Sequence, residues 1–207
     1  MIIFLLILNF FQLTLDRANP VEGKYKVLPE SKVYLEGTTN VNKFKCDCGN
    51  NFESKVYRIQ SMDGNKIVFS NTILLLPVTY FDCKNRKMDR DLQKALKADQ
   101  FPEVHIELHS FSVNSSGLGS NDGHTWTSAK AQVSITLAGK TQRHEILVKS
   151  KKGSPVQWIF NGKQSMKMTD FNITPPEALF GMIKVNDQIT FYFDLVLELE
   201  QNEGHQL

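Results

Sequence analysis

The carboxy-terminal stretch constrains this chain more than any other part of it. Ile189, Phe191, Phe193, Leu195, Leu197 and Leu199 fall on one side of a two-residue period. Thr190, Tyr192, Asp194, Glu198 and Glu200 fall on the other, with Val196 the exception. A period of two is a β-strand with one dry face and one wet face. Such a strand must find neighbours for its N–H and C=O groups, so the chain is committed to a sheet. Residues 127–137 repeat the pattern: Ala129, Ala131, Val133, Ile135 and Leu137 alternate with Ser128, Lys130, Gln132, Ser134 and Thr136. Ala138-Gly139-Lys140-Thr141 then turns the chain, and Gln142, His144, Ile146 and Val148 alternate against Arg143, Glu145 and Leu147, which makes a hairpin.

Further strands are expected at residues 33–41, 52–60, 66–76, 104–113 and 156–170. Asp63-Gly64-Asn65, Asn121-Asp122-Gly123 and Asn161-Gly162 are turn sequences that separate or interrupt them. The apolar phase shifts from odd positions (Val33, Leu35, Val41) to even ones (Phe44, Cys46, Cys48), which requires a bulge or tight turn near Asn42-Lys43. One helix is expected, capped by Asp89, with Leu92, Ala95 and Leu96 as its apolar stripe and an end before Phe101-Pro102. A further short turn or helix is expected at residues 176–182, after Pro175-Pro176 breaks the preceding strand. About eight strands with no repeated βαβ alternation imply an all-β antiparallel barrel or sandwich.

The first residues differ in kind. Residues 2–15 are apolar apart from Asn9, Gln12 and Thr14. As a helix they would reach roughly 21 Å at ~1.5 Å per residue, short of a bilayer core of about 30 Å. They read as the apolar region of a signal peptide ending near Ala18. No second apolar run is long enough to span a membrane, so no span is expected in the mature protein. The expected organisation is a signal peptide at 1–18, an amino-terminal segment at 19–30, one barrel domain at 31–200 and a tail at 201–207.

The chemistry-bearing residues are sparse. A net charge of +2 and scattered lysines give no basis for nucleic-acid binding. No nucleophile elbow, phosphate loop or zinc-helix motif occurs. His105 and His109 lie about 13 Å apart on an extended strand, too far for one metal. Glu103 and Glu107 beside them read as a charged edge. Three cysteines, Cys46, Cys48 and Cys83, allow one disulfide and one leftover thiol. The 14 Phe against 2 Trp and 5 Tyr suit a deep apolar interior, whether packed or open.

Several segments together resemble the YceI-like family. Leu35-Glu36-Gly37-Thr38-Thr39-Asn40-Val41-Asn42-Lys43-Phe44-Lys45-Cys46 resembles its first signature in the form with Cys after the Phe. Phe81-Asp82-Cys83, Met88-Asp89, Leu92, Leu96 and Phe101-Pro102-Glu103-Val104 resemble its central helix and exit. Ala131 to Gly139 resembles its internal hairpin. Asp170-Phe171-Asn172-Ile173, the stretch from Phe180 to Val185, and Asp187-Gln188-Ile189 resemble its closing segment. The match runs from about Ser31 to Glu200. It departs at Asn42 and Lys43, where the family commonly has His or Asn before the Phe segment, and at residues 117–123, an insertion.

The resemblance implies an eight-stranded, lipocalin-like antiparallel barrel with one short helix over an opening. It implies a periplasmic or secreted protein that carries a long apolar or amphiphilic lipid, polyisoprenoid or isoprenoid quinone, and is not an enzyme. No cofactor is implied beyond such a bound lipid, and no metal. It also implies a Cys46–Cys83 disulfide, with Cys48–Cys83 the competitor. Since water surrounds a soluble barrel, the apolar faces point inward. Val133, Ile135, Leu137, Phe191, Phe193 and Leu195 are then expected to line the ligand. Leu92 and Leu96 are expected over the opening, with Phe44 and Phe180 near it. An eight-stranded barrel can also fill itself. The competing expectation is a packed barrel serving as an extracytoplasmic protein-binding or inhibitor module. Either form leaves room for a homodimer.

Overall fold

The computed structural model describes residues 21–49, 52, 54–113, 125–178 and 180–201. The expected signal peptide, the Asn121-Asp122-Gly123 turn and most of the tail lie outside the described residues.

Twelve strands form one connected antiparallel system. They are β1 (Val21–Val27), β2 (Lys32–Thr39), β3 (Lys43–Cys48), β4 (Lys55–Asp63), β5 (Lys66–Pro77), β6 (Phe81–Asp82), β7 (Glu103–Val113), β8 (Thr127–Leu137), β9 (Lys140–Lys152), β10 (Gln157–Lys167), β11 (Glu177–Ala178) and β12 (Ile183–Gln201). Eight of them close a ring in the order β1, β4, β5, β7, β8, β9, β10, β12 and back to β1. The remaining strands hang on this ring: β2, β3 and β6 extend from β12, and β11 pairs with its start. The fold expected from the resemblance, an eight-stranded antiparallel barrel with one helix, is the fold found.

The ring closes by a device that the sequence hid. β12 is long enough to hold two partners on one edge: Leu197 to Gln201 pair with β1, and Val185 to Asp194 with β2. Between them the chain bulges at Leu28–Ser31. There Leu28 N–H donates to Val196 O at 2.8 Å, and the buried Ser31 hydroxyl accepts from Val196 N–H at 2.9 Å. Residues 21–27, expected as an appendage, therefore form a wall strand paired to β4 and β12.

Local chemistry explains most boundaries. Ala138 and Gly139 both take positive φ in the β8–β9 turn, the conformation of a tight hairpin. The phase shift after Val41 is a turn in which Thr39 Oγ1 accepts the N–H groups of Val41 and Asn42. Asn161-Gly162, read as a turn, instead continues through β10. Gly162 is needed there because a Cβ would sit 2.4 Å from the Phe193 ring. Helix α1 (Arg86–Ala95) begins a turn earlier than expected. Its cap is Asn85, whose side-chain oxygen accepts from Lys87 and Met88 N–H. Asp89 instead accepts the Cys83 N–H at 2.8 Å, holding the chain that enters the helix. Short 3-10 turns at Val78–Tyr80 and Met168–Phe171 complete the end of the barrel on which α1 packs.

Candidate functional site

The inner wall is apolar on nearly every strand, and it is not uniformly packed. Ala129, Ala131, Val133, Ile135 and Leu137 of β8 are buried, as are Ile146 and Val148 of β9. They belong to one large cluster that runs to the capped end, where Phe171 is 0% exposed and Leu96 is buried. A second, smaller cluster of Tyr25, Val27 and Tyr57 lies between β1 and β4. Phe52, Phe69, Leu74 and Leu195 touch both clusters yet are only half-buried.

Along β12 the inward residues Phe191, Phe193, Leu195, Leu197 and Leu199 are all half-buried. Ile106 and Leu108 of β7, across the ring, and Phe160, the cross-strand neighbour of Leu195, are half-buried too. An inward side chain in a closed barrel keeps accessible area only where it borders space. This strip between two buried clusters, wholly apolar and aromatic, is the candidate site. Phe81 meets Phe191 edge-on at 6.1 Å between centroids, and Phe111 meets Phe160 edge-on at 5.8 Å, so the strip rests on fixed rings.

The residues singled out from sequence fall in different places. Phe191, Phe193 and Leu195 sit on the half-buried strip. Val133, Ile135 and Leu137 lie in the buried cluster that backs it, where they act as wall. Leu92 is half-buried against the same cluster and Leu96 is buried beneath it. Phe44 is half-buried and lies flat on Gly37, where a Cβ would meet its ring at 2.4 Å. Phe180 departs from the expectation. It is 107% exposed on the turn between β11 and β12, held outward by a left-handed backbone, φ 57°, with Gly181 following at φ 84°. The sequence reading did not find Phe69, Leu74, Ile106, Leu108 or Phe160. Leu74 was hidden by the bulge in β5 that reverses the alternation mid-strand, whereas Leu108 keeps the phase of Val104 and Ile106 and precedes the bulge in β7.

Polar groups near the interior are few. Tyr25 donates to Ile73 O at 2.8 Å, and burial pushes its phenol up to about 12. The β9–β10 ladder ends at Val148 and Gly162. Beyond it Gln164 Nε2 lies 3.4 Å from His144 Nδ1, and the His144 ring stacks on Phe171. His144 Nε2 is buried with no hydrogen-bond partner, and desolvation holds this imidazole below its ordinary value against a smaller opposing pull from Asp170. Among the described residues no three His, Cys, Asp or Glu side chains gather as a metal site. His105 lies 3.6 Å from the Glu103 carboxylate, and His109 bonds Ser134 at 2.6 Å. Cys46 and Cys83 form a disulfide that ties β3 to the approach of α1. Cys48 is free and buried, and desolvation lifts its thiol to about 12. No helix among the described residues is long and apolar enough to cross a membrane.

This barrel is similar in three dimensions to solved structures. A polyisoprenoid binding domain from Saccharophagus degradans, implicated in plant cell wall breakdown, matches with a TM-score of 0.59 over 84% of this chain and 97% of that one, at 9% identity. BcnA from Burkholderia cenocepacia matches at 0.50 over 83% and 99%, at 15% identity. A YceI protein from Campylobacter jejuni matches at 0.43 over 73% and 84%, at 17% identity. This chain has the YceI-like barrel fold. At these identities it is the fold that is shared. No protein-family model and no curated protein matches the sequence. Within the YceI-like fold, the half-buried strip lies on the inward faces of β5, β7, β10 and β12, strands of the closed ring.

Proposed function

We propose that this chain is a YceI-like family member that holds one long apolar lipid, of polyisoprenoid or isoprenoid-quinone type, inside its barrel and catalyses no reaction on it. The half-buried strip carries this reading. Phe69, Leu74, Leu195 and their neighbours offer a chain-like ligand apolar contact and no polar group that must be satisfied. Burying such a ligand gains about 0.8 kcal/mol per CH₂. The proposal extends to an exported protein in which residues 1–18 are removed. The apolar start of the sequence and the Cys46–Cys83 disulfide, a bond of oxidising compartments, support it.

A second reading has its own support. Much of the hairpin wall is solidly buried, and two surface depressions of about 400 and 440 Å³ lie outside the barrel, against α1 and against β2 and β3. A packed barrel that binds another protein would look like this at its capped end. Native mass spectrometry of the purified protein, before and after organic extraction, separates the two. An adduct of isoprenoid or quinone mass that extraction removes is the expected result. A protein of bare mass that also takes up no added isoprenoid or quinone would leave the packed barrel as the better reading.

A further inference from the structure

The outward face of β8, β9 and β10 concentrates charge that the chain as a whole does not have. Lys130, Arg143, Lys149, Lys151, Lys163 and Lys167 point away from the interior on these strands, with Glu145 as the one carboxylate among them. The six bases and one acid exceed the +2 of the entire sequence, so the remainder is net negative. Glu145 is itself held by Lys130 at 2.9 Å.

Apolar side chains stand within this basic field. Leu147 pairs across to Lys130 and is 68% exposed. Trp126, 42% exposed, lies under the Lys151 ammonium at 5.0 Å. An outward Leu among lysines adds nothing to the binding of a water-soluble polyanion. On an anionic bilayer each part has a place: lysines at the headgroups, an amphipathic indole at the interface, and a short apolar side chain just below it.

We propose that the β8–β9–β10 face docks on an anionic phospholipid surface, with Leu147 and Trp126 entering the headgroup layer between the lysines. The surface lies outside the barrel wall, and its binding does not depend on whether the interior holds a lipid.

Flotation of the full chain with vesicles tests this. Vesicles of phosphatidylglycerol and phosphatidylcholine are compared with phosphatidylcholine alone, which also measures what any other apolar segment contributes. At low salt, partition onto the anionic vesicles should exceed that onto the neutral ones by about tenfold and fall steeply as salt is added. Lys149→Glu with Lys151→Glu should bring it to the neutral level. Lys24→Glu with Lys26→Glu, on the exposed outward face of β1, should leave the preference in place. Leu147→Ser should weaken it about threefold or more. Thermal melts establish that each variant folds, and Lys149→Gln with Lys151→Gln replaces the glutamate pair if that pair does not. The proposal is overturned by equal partition onto both vesicles or by loss of preference in the Lys24/Lys26 pair to the same extent. It is overturned equally by a Leu147→Ser protein that floats unchanged while a polyanion such as heparin competes as well for both forms.

Discussion

Cys46 and Cys83 are 37 residues apart in sequence, and joining them removes freedom from the unfolded chain that the folded barrel does not miss. On the chain-entropy account a loop of this size is worth about 3–4 kcal/mol. Replacing both cysteines by Ser should therefore lower the unfolding free energy by about that much in urea titrations under oxidising conditions. Under full reduction the wild type and the variant should converge. Cys48 should stay unmodified by thiol reagents until the protein unfolds, since burial keeps its sulfur protonated. His144 sets a different dependence. Its folded-state value is depressed, chiefly by desolvation, so the neutral ring is the form the fold prefers. Above the ordinary histidine value of about 6.5 its contribution is fully present. As pH falls from there through the lower folded value, the unfolded chain binds the proton more readily and stability drops. The melting temperature should fall between neutral and mildly acid pH, and fall less in His144→Gln. An unchanged pH profile in that variant would remove His144 from the account.

Elements were easier to read than their ends. The alternation marked β8, β9 and β12 because each is a wall strand with one dry face along most of its length. The helix was legible as Leu92, Ala95 and Leu96, yet its start was not, since Asp89 and Asn85 are both good caps by residue type. Only the fold decides between them: Asp89 is taken by the Cys83 N–H, and Asn85 is left at the extended position before the first turn. Asn85→Ala should accordingly cost about 1 kcal/mol, and Asp89→Ala should instead loosen the segment at Cys83. Urea midpoints paired with hydrogen exchange at the Cys83 amide distinguish the two effects. The bulges in β5 and β7 were invisible in the sequence because each reverses the phase with residues as ordinary as Ser70-Asn71 and His109-Ser110.

For the whole molecule, the strip between the two buried clusters sets the expectation for ligands. Affinity within an isoprenoid series should rise with chain length until the space is full, by up to about 0.8 kcal/mol for each CH₂ buried. Leu74→Phe places bulk where a half-buried side chain touches both clusters. It should weaken the longest chains most while leaving the fold stable. Ile135→Phe pushes into a buried wall and should instead cost about 1–3 kcal/mol of stability. Titrations with chains of graded length, read beside thermal melts, check both. Equal affinity for every length in Leu74→Phe would place the ligand elsewhere.

The sequence by itself determined the strand class, the hairpin at Ala138-Gly139, the presence of one short amphipathic helix, and which faces of β8 and β12 are dry. All of these follow from local periodicity and turn chemistry, which neighbouring residues carry between them. It did not determine that Val21 to Val27 closes the ring, that Phe180 points out, or that Leu74, Leu108 and Phe160 border the interior space. Nor did it show that scattered lysines gather on one outward face. Those properties depend on which strands become neighbours and on the register they keep. Sequence spacing of 48 residues, as between Tyr25 and the Ile73 carbonyl it donates to, holds no local signal of contact. Only closing the sheet on itself brings such residues together and decides which of two equally apolar side chains is packed solid and which faces space.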